Sequence, residues 1–157
     1  MAKPWKIVDL DPDQSLKICL GKVAQTRFQE TFSFEHQVFE GDDIEALHDM
    51  RVSARRLRAV LRIFRECFPK KKFKKQDEKL QTLVRSLGAV REHDVFIETL
   101  NSYRTTLGTQ ECKAIDLLIA RERTSRSLLR RQMLRHLKLL RRSDYTGSFN
   151  QFLRESL

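Results

Sequence analysis

Between His48 and Phe68 the chain reads HDMRVSARRLRAVLRIFRECF, a stretch with six arginines and a histidine at its head. Arginine is a permanent cation whose planar fork meets two phosphate or carboxylate oxygens at once. Histidine adds a donor whose charge changes near neutral pH. At about 100° per residue, His48, Arg51, Arg55, Arg58, Arg62 and Arg65 fall within an arc of about 100° on a helix. Met50, Ala54, Leu57, Leu61, Phe64 and Phe68 make a separate, narrow apolar face. Like charges four apart repel, so a solvated basic face normally interleaves Glu with Lys and Arg. Between His48 and Arg65 this arc carries no acid. From His48 to Arg62 the rail spans about 21 Å, which suits an extended run of phosphates better than one small anion.

The rest of the charge follows the same division. Residues 1–50 hold 5 Lys/Arg and 10 Asp/Glu, so residues 51–157 carry +15 of a total of +10. Residues 51–75 contain 11 Lys/Arg against Glu66 alone, and residues 121–142 contain 9 against Glu122 alone. In the second block Arg123, Arg126, Arg130, Leu137 and Arg141 share one side, with Arg131, Arg135, Lys138 and Arg142 in a neighbouring stripe. The lysines of PKKKFKK, Lys71 and Lys74 among them, add a diffuse steering field. A polyanionic partner and a definite positive face are expected.

Helices must position these side chains. The chain has 157 residues, only 5 Gly and 3 Pro, and no alternating strand pattern, so one all-α domain over 1–157 is expected. Periodicity and punctuation place helices at about 13–40, 43–68, 70–104, 109–142 and 145–155. Leu16, Leu20, Val23, Phe28, Phe34 and Val38 line the first, which Gly41 can end. Asp42 or Asp43 caps the second and Pro69 stops it. Gly88 is expected to kink or interrupt the third. The expected architecture is an antiparallel four-helix bundle with a short additional C-terminal helix. The ten Phe residues read as core, and Cys19, Cys67 and Cys112 as reduced thiols in no paired spacing.

The motifs resemble those of the CHAD family, the conserved histidine α-helical domain. GDDIEALHDMRVSARRLRAVLRIF is similar to its first signature, with His48, Arg51, Arg55, Arg56, Leu57 and Arg58 at the matching places. LGAVREHDVFIETL resembles the second through Leu87, Gly88, Arg91, Asp94 and Val95, with Glu92 and His93 departing from it. SDYTGSFNQFL resembles the segment that closes the family's first helical repeat. The resemblance implies a module that binds inorganic polyphosphate through His48, Arg51, Arg55, Arg56, Arg58 and Arg91. The helical wheel adds Arg62, Arg126 and Arg130. Family members usually hold two similar bundles in a chain nearly twice this length, so the sequence matches the first repeat. A C₂ homodimer would restore the symmetry. The implied location is cytoplasmic, at polyphosphate granules.

Other chemistry is poorly represented. No Walker loop, HExxH or paired Cys/His spacing occurs, so neither catalysis nor a metal or other cofactor is expected. Asp94 and Glu98, four apart, are compatible with Mg²⁺, which keeps a metal-dependent phosphate-processing enzyme as a minor alternative. Asp94 reads better as the partner of an arginine across the bundle. His93 sits among acids, and His136, among leucines, reads as partly buried and structural. Nonspecific nucleic-acid binding is the main rival to a polyphosphate reading, although no helix-turn-helix or stacking aromatics accompany the rail. No run of about 20 apolar residues exists, and no membrane partner is expected.

Overall fold

The computed structural model describes residues 3–41 and 43–157, and every regular element among them is helical. The helices are α1 (Leu16–Ser33), α2 (Glu35–Glu40), α3 (Ile44–Ile63), α4 (Lys70–Arg104), α5 (Thr109–Arg142) and α6 (Tyr145–Ser156). A 3₁₀ turn, Arg65–Cys67, joins α3 to α4. They pack in chain order: α1 against α3, α3 against α4, α4 against α5. The short α6 touches both α5 and α1 and so bridges the two outer helices.

The caps explain most boundaries. Ser15, not the Asp–Pro pair, caps α1 by accepting from the Ile18 N–H, so the helix starts later than the expected residue 13. Asp43 accepts from the N–H groups of Glu45 and Ala46 and begins α3, whereas the alternative cap Asp42 lies outside the described residues. Gly108 precedes α5 without a side-chain cap. At α6, Asp144 adopts φ 44°, a conformation short polar residues tolerate, and accepts from the Gly147 N–H at 3.1 Å. A Cβ at Gly147 would press on the Asp144 carboxylate, so a larger residue there would have to displace the capping side chain.

Four expectations are corrected. The segment 13–40 is not one helix: it bends at Phe34, and α2 turns onto α3, where Val38 is buried. Leu16, expected on the apolar side of that helix, is exposed at its first turn. The second helix ends at Ile63 rather than Phe68, because the chain tightens into the 3₁₀ turn that delivers Phe68 to the core. Gly88 neither kinks nor interrupts α4, which runs unbroken through it. Propensity alone made that glycine a breaker, but packing on both sides holds the helix.

The core lies along the apolar seam of α3. Met50, Ala54, Leu57 and Leu61 are fully buried. They meet Leu80, Leu83, Leu87 and Val90 of α4 and Met133 and Leu137 of α5, all with no exposed surface. Aromatic rings fix α6: Phe149 stacks on Phe28 of α1 at 4.2 Å between centroids, and Phe152 on Phe68 at 4.9 Å. Of the ten Phe, Phe96 is 43 % exposed and lies outside this core. His136 is half-buried and its Nε2 has no hydrogen-bond partner among the described residues. Burial holds its pKa below the ordinary histidine value of 6.5.

That shift has a stability consequence with a definite sign. A histidine kept neutral in the fold binds fewer protons than in the unfolded chain just below pH 6.5. Its contribution is therefore complete above 6.5 and is lost as the pH falls through the depressed folded value. Replacing His136→Gln should flatten the acid side of the stability profile, measured by urea unfolding across that range. An unchanged slope would assign the acid lability to other groups.

Candidate anion-binding site

The α3 rail faces α4, and two contacts fix how the helices lie. Arg58 donates from Nε and Nη2 to both oxygens of Asp77, at 2.7 and 3.2 Å. Two turns nearer the start of α3, Arg51 Nε lies where a Cβ on Gly88 would be 3.5 Å away. As numbers fall along α3 they rise along α4, so the pair is antiparallel. One turn beyond that contact on each helix stand His48 and Arg91, which therefore share a level. Gly88 leaves Arg51 room against the α4 backbone, a role the sequence pattern did not disclose.

This level holds an unusual set of atoms. His48 Nδ1, Arg51 Nε and Arg91 Nη1 are buried, and none has a hydrogen-bond partner among the described residues. Buried donors are ordinarily satisfied, because leaving one unmade costs about 1–3 kcal/mol. Three such nitrogens at adjacent turns of two packed helices form a donor set suited to an oxyanion. Arg55 and Arg62 continue the rail as exposed side chains, and among the described residues no carboxylate pairs with either.

The remaining residues are placed differently. Arg56 lies off the rail and points toward α1, where its Nη1 is 3.4 Å from Glu30 Oε1. Glu30 is fully buried and also accepts from Arg27, whose guanidinium donates to the Trp5 carbonyl as well. Arg56 thus helps neutralise a buried acid. Arg126 of α5 pairs through Nε with the buried Asp94 of α4, the arginine partner expected of that carboxylate. Arg130 donates to the carbonyls of Val38 and Gly41, tying α5 to the end of α2. Lys71 and Lys74 are exposed in the first turns of α4, at the far end of the rail. His93 binds Glu122 at 2.7 Å across α4 and α5.

A groove of about 710 Å³ opens beside this level between α3, α4 and α5. Glu45, Asp94, Glu98, Asn101, Arg123 and Arg126 line it. Among the described residues no three His, Cys, Asp or Glu side chains come together as a metal-binding group. Asp94 is occupied by Arg126, so the Asp94–Glu98 pair is split between an internal ion pair and the groove wall.

An all-α domain whose α3 rail carries a buried set of unpaired donors is, by fold and site, a helical domain built around cations. The model of the CHAD domain family matches residues 22–157, and the chain belongs to that family. The crystal structure of the CHAD domain from the plant Ricinus communis superposes with a TM-score of 0.68 at 22% sequence identity. The match covers 97% of this chain and 52% of that one, so the chain spans about half the length of its structural counterpart. Among curated proteins none matches the chain in sequence.

Proposed function

We propose that the α3 rail and the level of His48, Arg51 and Arg91 bind inorganic polyphosphate. Membership of the CHAD family supports this reading. The observation that carries it is the three buried nitrogens with no internal partner, at the head of a rail whose next exposed arginines are also unpaired among the described residues. Buried donors grip one phosphate; Arg55 and Arg62, continuing along α3, meet the following ones. The protein acts as a binding module, not an enzyme, and holds the polymer in the cytoplasm at polyphosphate granules. Two copies related by a twofold axis would present two rails to one polymer.

Polyphosphate carries about one negative charge per internal phosphate, so its binding should follow the counterion physics of nucleic-acid backbones. The logarithm of the affinity is expected to fall linearly with the logarithm of salt concentration. Arg55→Gln and Arg62→Gln should each reduce that slope by about 1 and leave the melting temperature unchanged. Isothermal titration across a salt series measures both. A slope that these substitutions leave untouched would place the polymer elsewhere.

A further inference from the structure

The outer face of α5 is exposed and, among the described residues, no other helix covers it. Opposite the buried Ile119, Met133 and Leu137, the helix presents Leu117, Leu128 and Leu139, which are 74%, 50% and 62% exposed. These leucines recur every eleven residues, about three turns, so they stand in one line with about 16 Å between neighbours. Arg121, Arg131, Arg135 and Arg142 fill the line between and beyond them, and every one is exposed. No Asp or Glu falls within about 60° of this line on the helix.

Each feature alone is ordinary. Single exposed leucines are common, and so are basic helix faces. Their coincidence is not, because a solvated face would relieve its arginines with acids and would have no use for leucine. A second copy of the chain is a poor occupant, since a twofold contact would set arginine against arginine. Polyphosphate would use the cations but leave the leucines in water. A surface that offers anionic headgroups with hydrocarbon directly beneath them uses both at once.

We propose that the outer face of α5 lies against an anionic lipid bilayer, with its arginines among the lipid phosphates and Leu117, Leu128 and Leu139 dipping into the acyl boundary. No described helix is long and apolar enough to cross a membrane, and none needs to, since the contact is peripheral. The sequence expectation of no membrane partner rested on the missing span alone. The unbroken 34-residue α5 offers this line as one continuous contact.

The test is flotation of the full chain with phosphatidylcholine vesicles, with and without phosphatidylglycerol. Wild type should float only with the anionic vesicles. The triple variant Leu117→Asn, Leu128→Asn, Leu139→Asn keeps every arginine, so it should retain helicity and polyphosphate affinity. Its vesicle affinity should fall on the order of tenfold or more. Equal flotation of variant and wild type would reduce the contact to charge alone and overturn the proposal. No flotation of wild type would also overturn it and would return the stripe to an acidic protein partner. Because polyphosphate is titrated in parallel, failure here is distinguishable from failure of the site on α3.

Discussion

The double variant Arg51→Met, Arg91→Met is expected to lose polyphosphate affinity about a hundredfold while melting no earlier than the wild type. A hydrogen bond to a charged group contributes about 1.5–3 kcal/mol, and every 1.4 kcal/mol is tenfold in binding. Removing two such donors therefore removes about two orders of magnitude. The stability side runs the other way. Arg51 Nε and Arg91 Nη1 are buried without partners among the described residues, so the unliganded fold bears their desolvation without return. Methionine keeps the apolar stem that packs between α3 and α4 and discards the cost. Fluorescence titration and thermal unfolding of the same samples read both effects. Wild-type affinity would remove these residues from the site, and an early melt would make them structural.

Leu61→Asp is expected to abolish the fold. Leu61 has no exposed surface and sits on the seam where α3 meets its neighbours. Truncating a buried leucine costs about 2–5 kcal/mol before any charge is considered. An unpaired carboxylate in the same place adds several more, and the whole stability of such a domain is about 5–15 kcal/mol. Far-UV circular dichroism should show loss of the helical spectrum or of its cooperative melt. A cooperative transition near that of the wild type would mean the seam has been misplaced. Arg55, six residues earlier on the same helix but exposed, should tolerate substitution without such loss.

The helices were legible because periodicity and punctuation agree in this chain. Pro69 and the residues after it start α4 where expected, and the end of α5 at Arg142 coincides with Ser143 and Asp144, which begin the next helix. The bend at Phe34 was not legible, because aromatic periodicity continues through it and only the packing of α2 onto α3 requires the turn. Gly88 misled for the opposite reason: its propensity is poor, but its position against Arg51 rewards the missing side chain. Within the site, the helical wheel set His48, Arg51, Arg55 and Arg62 on one side of α3, where the structure buries a nitrogen of each of the first two and exposes the last two. It was blind to acids on other helices. Arg58 is answered by Asp77, Arg56 by Glu30 and Arg126 by Asp94, none of which lies on the arginine's own helix. For these three arginines charge relief crosses between helices, so counting acids along α3 alone overstated how many of its arginines stand ready for a ligand.

That distinction decides the most direct measurement. Labelled long-chain polyphosphate, bound at physiological salt with EDTA present, is challenged with duplex DNA, single-stranded RNA and triphosphate at equal phosphate concentration. If the unpaired donors of α3 and α4 form a site matched to a phosphate chain, nucleic acids should displace the polymer only weakly, because each of their phosphates is flanked by bulky sugars that keep it from buried donors. Equal displacement by every polyanion would contradict the account and leave the rail as a charged face with no preferred ligand.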